Sequence, residues 1–96
     1  MAMSVIATLR VQPGRGAELE AVFADLAAKV RANEPGNRLY QLCKHRKEAD
    51  TYVVMEIYDD QAAIEAHSKS EHFRAAGPAI GACLAGRPDI QYLDTI

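Results

Sequence analysis

The chain opens with alternating positions: Val5, Ala7, Leu9 and Val11 fall on one side, with Ile6, Thr8 and Arg10 on the other. A period of two predicts a strand over Ser4–Val11, which Pro13-Gly14 ends. The period then lengthens. Leu19, Val22, Phe23, Leu26, Ala27 and Val30 recur at steps of three and four, while Glu18, Glu20, Asp25, Lys29 and Arg31 fill the remaining positions. This stripe predicts an amphipathic helix from Gly16 to Asn33. Glu34-Pro35-Gly36-Asn37 stops it, because proline cannot continue the helix and Gly-Asn suits a reversal.

A second strand is expected over Arg38–Arg46, followed by the polar turn Lys47-Glu48-Ala49-Asp50. The third, Thr51–Tyr58, is dominated by β-branched and aromatic residues. Asp59 or Asp60 then caps a helical region carrying Ala63, Ile64 and His67, and Ser70 caps a further helix carrying Phe73, Ala76, Gly77, Ile80 and Leu84. Pro78 should kink or split that helix. Gly86 and Pro88 close it, and Asp89–Ile96 reads as a last strand. The order β-α-β-β-α-β predicts one α+β domain over residues 1–96, a ferredoxin-like antiparallel sheet with helices on one face.

The third strand also bears on assembly. Val53, Met55 and Ile57 make one side apolar, yet Tyr52, Val54 and Tyr58 make the other side mostly apolar too. An antiparallel strand with one face in water should alternate apolar with polar residues. Helices can cover only one face, so the second cover is expected from a second copy of the chain, as a homodimer.

Composition narrows the partners. With 49% hydrophobic and 25% charged residues among 96, the chain has the make-up of an ordinary globular domain. A net charge of -2 argues against nucleic acid, whose phosphates need a cationic footprint. No apolar run approaches the roughly 20 residues that cross a bilayer, and Met1–Val5 lacks the basic and apolar segments of a secretion signal. Cytoplasmic residence is expected. Cys43 and Cys83 lie in no metal-ligand or redox spacing, so they read as small buried hydrophobes.

Few residues offer chemistry. His67 and His72 are five apart, and that spacing is expected to point the two rings in different directions, so no metal pair is expected. His67 follows Ile64 by three residues and so lies by the apolar stripe, where it serves either as an acid–base group or as a structural hydrogen-bonding residue. His72 falls in the first turn of the next helix, where capping is the plainer role. Glu56 shares a strand side with Tyr58. A carboxylate among apolar neighbours is either paired with a cation (Arg10, Arg38 and Arg74 are available) or shifted in pKa. Nucleophile elbows, phosphate loops and dinucleotide fingerprints are absent from the sequence.

Glu56-Ile57-Tyr58, the alanine-rich turn Ala62-Ala63, His67 nine residues after the aromatic, and the pair His72-Phe73 together resemble the signature of the antibiotic biosynthesis monooxygenase family. The opening Val5–Gly14 and the reversal Glu34-Pro35-Gly36 with Tyr40 match the same family, so the resemblance spans nearly the whole chain. It implies a dimeric α+β barrel that oxygenates quinols, anthrones or similar phenolic compounds with dioxygen, using no metal, flavin or other cofactor. Under it His67 is the candidate catalytic base, and Tyr58, Phe73, Tyr40 and His72 are candidate substrate-binding residues. Two departures stand out. The family usually carries tryptophan where this chain has Tyr58, and this sequence has no tryptophan. Haem-degrading relatives carry an asparagine that aligns with Ala7, which counts against haem. Non-catalytic domains share the fold, so a dimer that only binds a small aromatic metabolite is the alternative.

Overall fold

The computed structural model describes Met1–Ile96 as β1 (Met3–Arg10), α1 (Gly16–Asn33), β2 (Asn37–Lys44), β3 (Thr51–Tyr58), α2 (Gln61–Lys69), α3 (Glu71–Cys83) and β4 (Asp89–Asp94). The strands form one antiparallel sheet in the order β2-β3-β1-β4. This is the expected ferredoxin-like α+β arrangement. The sheet is open, with β2 and β4 as its edges.

Local chemistry sets the boundaries. Gly14 takes a positive φ of 82°, which only glycine adopts freely, and so turns the chain from β1 into α1. Asp60 caps α2, its carboxylate accepting from the Ala63 N–H at 2.9 Å. The neighbouring Asp59 instead pairs with Arg38 at 2.5 Å. Ser70 separates α2 from α3: its hydroxyl donates to the His67 carbonyl at 2.7 Å and accepts from the Phe73 N–H at 3.2 Å. Pro78 does not split α3, which runs on to Cys83 as one element. The single backbone bond that proline forfeits lies on an exposed stretch, where water can meet the orphaned carbonyl.

The helices cover one face of the sheet. Val5, Ala7 and Leu9 of β1, Tyr40 of β2, and Tyr52, Val54, Glu56 and Tyr58 of β3 are all buried there. Leu19, Phe23, Leu26, Ala27 and Val30 of α1 meet them. Fully burying a side chain such as Leu26 contributes about 1.5–3 kcal/mol, so α1 supplies much of the drive to fold. The tyrosines of β3 therefore point inward, and Val53, Met55 and Ile57 take the uncovered face, where Met55 is 43% exposed. Cys83 is buried as expected, but Cys43 is only half-buried, because its position in β2 puts it on that uncovered face beside Met55.

α3 contributes little to the dense core. Phe73, Ala76, Ile80 and Leu84 are only partly buried, and a hollow remains beneath them.

Candidate active site

That hollow is a cavity of about 320 Å³ between the sheet and α2–α3. Its floor is Val5, Ala7, Leu9, Tyr40, Val54, Glu56 and Tyr58, and its walls include Ile64, His67, Phe73 and Ile80. Most of the lining is apolar, the usual character of a site for a small organic molecule.

His67 stands at the centre of an aromatic cluster. Its ring centroid lies 4.6 Å from Phe73, 5.2 Å from Tyr40 and 5.6 Å from Tyr58, and Tyr40 stacks in turn on Phe23 at 5.4 Å. The last turn of α2 holds the ring in place with 5% residual exposure. Nδ1 lies 2.9 and 3.0 Å from the two carboxylate oxygens of Glu34. A carboxylate only accepts, so Nδ1 carries the hydrogen, and neutral His67 presents a lone pair at Nε2. Nε2 meets no protein group and is left open to the cavity.

Glu34 is the residue that sequence reasoning missed. It read only as part of a helix stop, yet its side chain is 8% exposed and carries the whole histidine arrangement. His72 Nε2 meets the same carboxylate, 2.5 Å from Oε2. From the sequence a spacing of five is expected to send the rings apart, although the same sequence places a new helix start at Ser70 between them. The break at Ser70 overturns that expectation, and both rings converge on Glu34. Tyr40, Tyr58, Phe73 and His67 line the cavity, whereas His72 is not among its lining residues.

Glu34, His67 and His72 each offer one ligand atom within 4.8 Å of the others, so they are the residues that could hold a metal ion. Their nitrogen–oxygen separations of 2.5–3.0 Å are hydrogen-bond lengths. Ligands around a tetrahedral ion with bonds near 2 Å stand about 3.3 Å apart. The three side chains would have to move apart to admit an ion.

Glu56 faces the same cavity from β3. None of Arg10, Arg38 and Arg74 pairs with it; its one protein partner is the Tyr58 hydroxyl, which donates to Oε1 at 2.6 Å. Burial raises its carboxyl to about 7, the Glu34 charge adds to this, and the bond from Tyr58 opposes it. Burial, with the two carboxylates nearby, pushes the phenols of Tyr40 and Tyr58 well above the ordinary range. Both tyrosines therefore stay protonated. Glu56, by contrast, is able to exchange a proton near neutral pH.

The profile of the family described as "Antibiotic biosynthesis monooxygenase" matches residues 2–79. A Bacillus subtilis (strain 168) protein named "Putative monooxygenase YcnE" is 32% identical over 68 residues, covering 71% of this chain and 70% of that protein. A crystal structure from Caulobacter crescentus CB15, described as a putative antibiotic biosynthesis monooxygenase, superposes with a TM-score of 0.96 at 48% identity, over 99% of this chain and 90% of that one. The fold also recurs, at 23% identity and a TM-score of 0.85, in SnoaB, a cofactor-independent oxygenase from Streptomyces nogalater, over 99% of this chain and 93% of that one. This chain belongs to the antibiotic biosynthesis monooxygenase family.

Proposed function

We propose that this protein is a cofactor-independent monooxygenase that oxidises a small aromatic quinol- or anthrone-like substrate with dioxygen. The observation that carries the reading is His67: one ring nitrogen is fixed by a buried carboxylate, and the other opens on an apolar cavity. Dioxygen reacts slowly with closed-shell organic molecules, but a phenolate or stabilised carbanion can pass it one electron. The protein's task is then to remove a proton, keep the anion in an apolar site and protect it from water. His67 Nε2 takes the proton, Glu34 stabilises the resulting imidazolium, and the neutral Tyr40 and Tyr58 shape the pocket with Phe73.

The balance is simple. For an anthrone-like substrate, a ring methylene and dioxygen give a ring carbonyl and water. For a quinol, one ring C–H becomes C–OH, the ring is oxidised to the quinone level, and water leaves. Both electron pairs come from the substrate. SnoaB supports the reading as a protein of the same fold that is described as working without a cofactor.

The homodimer belongs to the same proposal. Leu39, Met55 and Leu93 are exposed on the face of the sheet that no helix covers, with Ile6 and Ile57 half-buried among them. A second copy seated there would give these residues their cover. Cytoplasmic residence is part of it as well, supported by the two free thiols, Cys43 and Cys83.

Oxygen consumption with a panel of quinols and anthrones, comparing wild type with His67→Ala, tests the catalytic claim. General-base removal should cost about 10²–10⁴ in rate. Saturable binding with no turnover of any panel member above buffer, or full activity in His67→Ala, would leave a binding protein in place of an enzyme.

A further inference from the structure

The cavity holds polar atoms that nothing in the protein satisfies. Nε2 of His67, Oε2 of Glu56 and the Tyr40 hydroxyl have no hydrogen-bond partner, and none of them is sealed from the cavity that all three residues line. They come from different walls: His67 from α2, Glu56 and Tyr40 from the sheet floor. Tyr40 and Glu56 are directly opposed across β2 and β3, so their side chains rise from the same face as neighbours. Tyr58, two residues beyond Glu56, holds Oε1 from the other side. The carboxyl is thus tethered by the Tyr58 phenol and flanked by Tyr40 across the strands, and both rings approach His67.

No cation neutralises this group. Tyr40 faces it from β2, Tyr58 from β3, Glu34 from the end of α1, His67 from α2, and β1 offers only Val5 as its register partner. Arg38 is already engaged by Asp59. A purely structural acid would sit in an ion pair or have both oxygens bonded. Glu56 has one oxygen tethered and the other aimed at an otherwise apolar hollow.

A ligand that fills the hollow expels the water now available to these atoms. Each polar atom left without a partner then costs roughly 10- to 100-fold in affinity. A hydrocarbon ring satisfies none of them, and an aromatic with one oxygen satisfies His67 alone. Resting on the quinol-type reading above, we propose that Glu56 is a second substrate-contacting group, bonding and exchanging a proton with a substrate oxygen other than the one that meets His67. The site thereby selects aromatics with two oxygen functions over those with one. Because the carboxyl is raised to about 7, both of its forms are accessible at working pH: the acid donates to a carbonyl or phenolate oxygen, and the anion accepts from a hydroxyl.

The test is anaerobic calorimetric binding to the full chain, so that no oxidation enters the readout. The probes are naphthalene, 1-naphthol and naphthalene-1,4-diol, at about pH 6 and about pH 8. Wild type should prefer the diol to the mono-ol by about 10- to 100-fold. Glu56→Leu should reduce that preference to within about threefold. Glu56→Gln, which keeps an acceptor for Tyr58 and an amide for the ligand, should retain most of the preference and lose the pH dependence that wild type shows. A thermal melt with each variant establishes that it is folded. Unchanged diol preference in Glu56→Leu, absence of preference in wild type, or an unchanged pH profile in Glu56→Gln overturns the proposal. Loss of oxygenase activity across the panel with the diol preference intact would instead strike only the catalytic reading.

Discussion

Replacing Glu34 by alanine should destabilise the fold far beyond what a helix-end residue normally commands. Its carboxylate accepts from His67 Nδ1 at 2.9 and 3.0 Å and from His72 Nε2 at 2.5 Å, and the three side chains are 8%, 7% and 13% exposed. Truncation leaves two imidazole N–H groups without an acceptor. Each costs about 1–3 kcal/mol when buried. His72 has a little access to water and falls toward the lower end, so the sum is about 2–4 kcal/mol. Small domains hold only about 5–15 kcal/mol in total. Urea unfolding with the midpoint and slope fitted together measures this, and in a thermal scan it should appear as a fall of about 10–25 °C. Glu34→Gln should cost less, about 1 kcal/mol, because its amide oxygen still accepts from one ring and only the other must change tautomer. It should nevertheless lower turnover, since an imidazole released from its enforced tautomer no longer holds a lone pair at Nε2. A loss below about 0.5 kcal/mol in Glu34→Ala, the range of an ordinary surface substitution, would show that the convergence of the two histidines carries no weight.

The Glu56 carboxyl is held at about 7 in the folded chain against an ordinary 4.5, so the native state keeps its proton and wild-type stability falls as pH rises from 4.5 to 7, by up to about 3 kcal/mol, then levels off. Glu56→Gln does not ionise and should therefore be more stable than wild type at pH 8 and equal to it near pH 4.5; parallel urea titrations showing a pH-independent difference would contradict this. A methyl group at Gly36 would lie 2.7 Å from the Ala63 Cβ, so Gly36→Ala should cost about 1–3 kcal/mol. Adding Ala63→Gly should restore most of that loss in a double-mutant cycle, and strictly additive costs would refute the contact. Met55→Arg, on the uncovered sheet face, should yield a folded monomer in sedimentation velocity; a wild type that is itself monomeric at micromolar concentration removes the dimer.

Much of the scaffold could be read from the sequence, for a physical reason in each case. α1 has a clean stripe with Pro35 just past its end, and β3 is a block of β-branched and aromatic residues between turn formers; their bounds fall where the pattern puts them. β2 ends at Lys44, two residues before the expected Arg46, because His45 turns inward on its own loop and accepts from the N–H groups of Lys47 and Glu48. The inward face of β3 was not legible, since both faces are apolar and only the packing of α1 distinguishes them. His67, Tyr40, Tyr58 and Phe73 were identifiable as candidates, and the cavity gathers them. The link to Glu34 was not. One clue existed: an acid at a helix C-terminus opposes the helix dipole, so a glutamate at that position calls for a specific partner.

The residues that define the site are those at which local rules are broken or interrupted. Glu34 sits at the end of α1 with the wrong charge for that end, and Glu56 sits on the core face of a strand without a cation. The two imidazole N–H groups compensate Glu34, whereas the burial of Glu56 costs stability that the packing of Leu19, Leu26, Val30 and Val54 has to offset. Ser70 interrupts what would otherwise be one long helix, and that interruption lets His67 from the last turn of α2 and His72 from the first turn of α3 reach a common acceptor. Pro35 fixes where α1 stops, and the close approach of Gly36 to Ala63 ties that stop to the first turn of α2. Two helix ends, each determined by short-range capping chemistry, therefore set the orientation of the proposed base before any substrate arrives. A continuous α2–α3 helix would turn His72 away from Glu34, leaving His67 to share the carboxylate with no one. The site's geometry depends more on a serine hydroxyl and a proline ring than on the size of the core beneath it.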